Sequence, residues 1–145
     1  MTKKQALTVL AILQAALIGL LFLPVAADAS VSGGVSLNSV DVARCYADAG
    51  HRIDSGVYLF FALGCPAVSL LSILTVRNRR GAVGLIACLS AMNLLVHACF
   101  YTVIQSSVTV SVTMHGQYVF LILLSLFSLL LTIYAYLFID LNAEQ

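Results

Sequence analysis

Four long apolar runs without a charged residue set the plan of the chain: Ala6 to Leu23, Val57 to Val76, Gly81 to Gln105 and Gly116 to Ile139. Each is close to or above the roughly 20 apolar residues that cross a bilayer as a helix. Thr8 and Gln14 are the only polar positions in the first run, and Pro24 closes it. Pro66 lies in the middle of the second run and predicts a kink there.

The polar segments between the runs carry shorter patterns. Ser30 to Leu37 alternates small polar and apolar residues around Gly33-Gly34. This predicts a tight hairpin, since Gly-Gly supplies the positive φ angles such turns need. Asn38 or Ser39 is placed to cap a short helix through Ala49, with Gly50 as its stop, and Asp41 and Arg44 on it are spaced to pair. Ser106 to Met114 alternates with β-branched residues and predicts a strand. The two alternating segments fall on one side of the membrane, where they are expected to pair into a small sheet. The expected fold is therefore an all-α membrane protein. One domain, residues 1–145, forms a left-handed four-transmembrane-helix bundle with a small β element built by the two outer loops, 28–56 and 106–115. The inner loop is 77–80.

The first run has a second reading. A basic start, an apolar stretch and the small residues Val25 to Ala29 also fit a cleavable signal peptide. The run is longer than the roughly 7 to 15 residues of a signal core, which favours a retained helix.

Composition supports the membrane assignment. Of the 145 residues, 61% are hydrophobic and 9% charged, against about 25% charged in a soluble domain. So few charges do not cover a water-facing surface. The net charge of +1 and the lack of a broad basic patch point away from nucleic acid. Lys3, Lys4, Arg77, Arg79 and Arg80 fall on one side of the spans. Arg44 and Arg52 fall on the other, diluted by Asp28, Asp41, Asp48 and Asp54. The positive-inside rule then puts both termini and the Arg loop in the cytoplasm, with a plasma or cell membrane as the expected location.

Candidate chemistry centres on the third span. Ser90, Asn93, His97, Tyr101 and Gln105 share one helix face, and Ser125, Ser128, Thr132 and Tyr136 make a matching face on the fourth. Such stripes commonly bond across helices. His97, roughly 12 Å below the outer end at about 1.5 Å per residue, could instead relay protons, ligate haem or a metal, or meet a quinone. His51 and His115 are placed toward the same side as further candidate ligands, but no pair has a recognised ligand spacing. Cys45, Cys65, Cys88 and Cys99 contain no Cys-x-x-Cys. Cys65 and Cys99 are expected at similar depth, and Cys45 outside. Gly84, Ala87 and Ala91 suggest a close helix contact. The three loop arginines fall short of the 4–8 charges of a lipid-recognition cluster and read as a topology signal.

Cytoplasmic termini, a larger first outer loop, a tiny inner loop and a short second outer loop resemble the layout of claudin-like and amastin-like tetraspan proteins. The resemblance is one of topology over the whole chain. There is no tryptophan, and Cys45 is the only outer-loop cysteine, so no functional residue is carried over. The expected role is non-enzymatic: interaction or assembly with other membrane proteins or copies of itself, with no cofactor. The alternatives are a haem-, metal- or quinone-associated redox subunit using His97, and a small transporter or channel component. The absence of acidic and basic residues from the four runs argues against an ion-coupled carrier.

Overall fold

The computed structural model describes residues 2–28, 35–75, 79–108 and 110–138. Their order is α1 (Lys3–Leu20), β1 (Pro24–Asp28), β2 (Val35–Asn38), α2 (Ser39–Asp48), α3 (Arg52–Thr75), α4 (Arg79–Ser106), β3 (Val112–Met114) and α5 (Gly116–Phe138). Helices α3, α4 and α5 are long and apolar enough to cross a membrane. With 18 residues, α1 reaches about 27 Å at 1.5 Å per residue, slightly short of a hydrocarbon core of about 30 Å.

The four long helices pack in a closed ring: α1 touches α3 and α5, and α4 touches α3 and α5. The reason is legible in the spacing of their buried positions. On α5 these are Tyr118, Leu121, Ser125, Ser128, Thr132 and Ala135. On α4 the run is Ile86, Ser90, Asn93, His97, Phe100 and Ile104, and on α3 Ser55, Tyr58, Ala62, Cys65, Ser69 and Ser72. Steps of three and four alternate throughout. That mean period of 3.5 keeps each row of buried residues on one face of its helix. Many seam residues are Ser or Ala, which lets the backbones approach closely.

The element at one end differs from the expected sheet. The strand order is β2-β1-β3. The centre is Pro24–Asp28, which pairs antiparallel with β2 (Ala26 opposite Leu37) and with β3 (Ala26 opposite Met114). Among the described residues, the strands of the two loops each pair with this third strand and not with each other. The segment that reads in sequence as helix end or cleavage site is the spine of the cap. Helix α1 stops four residues before Pro24, whose missing N–H and fixed φ are tolerated at the start of a strand. Of the expected strand from Ser106 to Met114, β3 covers Val112–Met114, and Ser106 is instead the last residue of α4. The hairpin turn at Gly33-Gly34 lies outside the described residues.

Other local expectations hold closely. Asn38 caps α2, its Oδ1 accepting from the N–H groups of Val40 and Asp41 at 2.9 Å. Asp41 returns the bond to the Asn38 N–H at 3.3 Å, a capping box. Asp41 is thus engaged at the cap, and no Asp41–Arg44 ion pair occurs among the described residues. Gly50 ends the helix at φ 105°, where a side chain would be strained. Helix α3 starts at Arg52, five residues earlier than the apolar run, and runs through Pro66 without interruption. Leu17, Leu21, Val25, Ala26, Leu37, Val42 and Tyr46 join the cap to the bundle core. At the opposite end Ala6, Val83 and Ala135 pack together. The starts of α1 and α4, with exposed Lys4 and Arg80, therefore share that end. Arg77 lies outside the described residues.

Candidate functional site

A column of buried polar side chains runs along the middle of the ring. At the level of the sheet-side third, Tyr58 of α3, His97 of α4 and Tyr118 of α5 form a triangle. The Tyr118 hydroxyl donates to the Tyr58 hydroxyl at 3.1 Å. His97 Nδ1 lies 3.1 Å from the Tyr118 oxygen and 3.4 Å from the Tyr58 oxygen. His97 and Tyr118 are fully buried, and Tyr58 is 2% exposed. Both tyrosine rings meet the imidazole edge-on, and Tyr58 stacks on Phe100 at 3.7 Å between centroids. Ser39, at the start of α2, has a buried Oγ with no hydrogen-bond partner among the described residues. Tyr58 and Phe100 also line a groove of about 450 Å³ between α3 and α4 whose rim carries Asp54.

One turn further along α4, Asn93 donates from Nδ2 to Ser125 Oγ at 3.2 Å. Ser125 sends its own proton to the Leu121 carbonyl at 2.8 Å. Another turn on, Gln14 of α1 donates to Ser128 Oγ at 2.7 Å, and Ser90 lies 3.3 Å from the same oxygen. Thr132 is fully buried, but its hydroxyl returns to the Ser128 carbonyl of its own helix. The column therefore draws on all four long helices. In a medium without water to satisfy polar groups, such bonds hold helices in register.

The sequence stripe contributes unevenly. Ser90, Asn93 and His97 lie in the column. Tyr101 sits at its edge, stacked on Tyr118 at 5.7 Å, and exposed Gln105 reaches back to the Tyr101 hydroxyl at 3.4 Å. Tyr136 is outside it: the Arg80 guanidinium stands 5.2 Å above its ring. Close beside it, a Cβ on Gly84 would come within 3.4 Å of Tyr136 Cε2. Ala91 is exposed. Sequence reading missed Gln14, Tyr58 and Tyr118 as partners, because Gln14 is an isolated polar residue on its helix and a tyrosine reads mainly as an apolar ring. The signal was available: Tyr118 and Ser125 are seven residues apart, one heptad along the face already marked by Ser125, Ser128 and Thr132.

The three histidines do not converge. His51 stacks on Tyr46 at 4.3 Å, with Nδ1 3.7 Å from Asp54. His115 is exposed and gives its backbone N–H to Val25. Only His97 is inside. No group of three His, Cys, Asp or Glu that could hold a metal occurs among the described residues. The four cysteines are free; Cys65 faces inward whereas Cys88 and Cys99 face outward.

Comparison with known proteins finds no matching family model, no matching curated protein and no matching solved structure. The tetraspan likeness thus rests on the order of apolar helices and loops alone.

Proposed function

We propose that this chain is a four-span membrane protein that works by interaction and assembly, with its sheet-and-helix cap on the outer side and its basic end in the cytoplasm. The observation that carries the reading is the cap. Its order β2-β1-β3 leaves one edge of β2 and one of β3 without a strand partner among the described residues. Val35 in β2, Ile53 in the first turn of α3 and Val108 in the loop before β3 are exposed by 50%, 82% and 100%. Open edges and solvent-facing apolar side chains are unfavourable in an isolated protein and are the features that strand addition uses. The bundle interior supports the same view, because its polar groups are spent mainly on one another. Burial of Ala6, Leu10, Gln14 and Leu17 supports a retained α1 as the first span.

Cross-linking in native membranes followed by affinity purification tests this. A partner, or a second copy, is expected with wild type and lost with Val35→Asp and Val108→Asp while the bundle stays folded. Recovery of wild type alone, or of a partner indifferent to both substitutions, would overturn it.

A second reading, a redox subunit, is favoured by one atom: His97 Nε2 is buried without a partner. Purified protein with neither Soret absorbance nor bound metal nor quinone would dismiss it.

A further inference from the structure

Three buried side-chain atoms lack partners among the described residues, and two of them, Nε2 of His97 and Oδ1 of Asn93, belong to the α4 seam. Their residues are 0% and 1% exposed and stand four positions apart on one face of α4. Buried polar atoms are almost always hydrogen-bonded, to protein or to ordered water. Two such atoms one turn apart on the same face therefore call for a shared partner.

The hydrogen-bond directions say which chemistry that partner has. Ser125 gives its only proton to Leu121, so its oxygen can only accept from Asn93. That fixes the Asn93 amide: NH₂ faces Ser125, and the unsatisfied atom is a carbonyl oxygen. At the imidazole, Tyr118 gives its proton to Tyr58, so the closer oxygen at Nδ1, that of Tyr118 at 3.1 Å, accepts. Nδ1 then carries the hydrogen and Nε2 is a bare lone pair. Both unpartnered atoms are acceptors, and one molecule with two donor hydrogens satisfies them together. In the other tautomer Tyr58 donates to Nδ1 across 3.4 Å, and Nε2 becomes a donor. The bridging molecule must then accept once and donate once. Water meets both demands.

The span also fits. Residues four apart on a helix have Cβ atoms about 5–6 Å apart. Two hydrogen bonds of about 2.8 Å meeting at one oxygen cover a similar distance.

We propose that a single internal water molecule is bound between His97 Nε2 and Asn93 Oδ1. It joins the Tyr58–Tyr118–His97 triangle to the Asn93–Ser125 pair, and it holds the imidazole with both nitrogens satisfied. The site is one of internal hydration and stands independently of the interaction reading.

The test uses the full chain in lipid nanodiscs with ¹⁵N-labelled histidine. Magnetisation transfer from water to the His97 ring protons is expected, with ¹⁵N shifts of a neutral imidazole whose two nitrogens are both hydrogen-bonded. In Asn93→Leu the transfer to His97 is expected to fall several-fold. Should that variant fail to fold, a map of the wild type resolving waters is the second measurement, with density expected within about 3 Å of both atoms. A His97 ring without water contact, a direct Nε2 to Oδ1 bond, or a metal on Nε2 would each overturn the proposal.

Discussion

Gln14 on α1 and Ser128 on α5 meet through a 2.7 Å hydrogen bond, although 114 residues separate them in the chain. The bond ties the shortest long helix to the ring. Its burial, with Gln14 2% exposed, excludes competing water. Gln14→Leu keeps the volume and removes the bond. Interhelical side-chain bonds in membranes average about 0.6 kcal/mol and reach about 1.7, so a loss in that range is expected in a detergent-unfolding titration. On the proposed four-span reading, a helix bonded this way is expected to be retained. Intact-mass analysis of protein from its native membrane should therefore find α1 still attached. A mass beginning near Asp28 would refute that.

The tyrosine triangle allows a sharper comparison. Tyr118→Phe removes the proton received by Tyr58 and the closer oxygen at His97. It leaves buried polar atoms short of partners, and the loss is expected at about 1–2 kcal/mol. Tyr101→Phe deletes a hydroxyl that only accepts from exposed Gln105 at 3.4 Å, beyond the usual 2.7–3.2 Å range for N–H···O. It should cost less than about 0.5 kcal/mol. Parallel unfolding titrations that rank the two alike would show that the triangle is not a stabilising unit.

How much of this could be read from sequence depends on the scale of the signal. Three long helices and the α2 cap at Asn38 follow from runs of many residues or from local chemistry, and both survive tertiary packing. The cap spine at Pro24–Asp28 does not. Its five residues look like the end of an apolar run, and only the partners Leu37 and Met114, far along the chain, make them a strand. The polar column was half visible. Ser90, Asn93 and His97 stand out against apolar neighbours by their spacing. Tyr58 and Tyr118 blend into an apolar run because a tyrosine is mostly ring, and its hydroxyl matters only once a buried partner is placed beside it.

The basic end offers a steric test. The Gly84 Cα faces the Tyr136 ring, and an added Cβ would lie 3.4 Å from Cε2, an ordinary van der Waals contact. Gly84→Ala should therefore fit. It should raise stability by about 0.5–1 kcal/mol through helix propensity. Gly84→Leu adds three further carbons beyond that Cβ, beside the same ring. It is expected to displace Tyr136 from beneath Arg80, whose guanidinium lies 5.2 Å from the ring centre, and to lower Tm. Thermal scans of the two variants separate a packing role for Gly84 from a merely tolerated glycine.

Cys45 reports on the cap. The half-buried thiol has its pKa raised first by burial and then by the carboxylates of Asp28, Asp48 and Asp41. All of these disfavour the thiolate, which is the reactive form. In a variant with Cys65, Cys88 and Cys99 replaced by Ala, alkylation of Cys45 should be slow at neutral pH. Its rise with pH should fall later than for a free thiol of ordinary pKa. Asp48→Asn removes one of the opposing charges and should speed the reaction at a given pH, leaving the burial contribution in place. The same variant tests orientation. With an impermeant maleimide added to intact cells at alkaline pH, Cys45 is expected to label before lysis. Labelling that requires lysis would place the cap on the cytoplasmic side and reverse the topology.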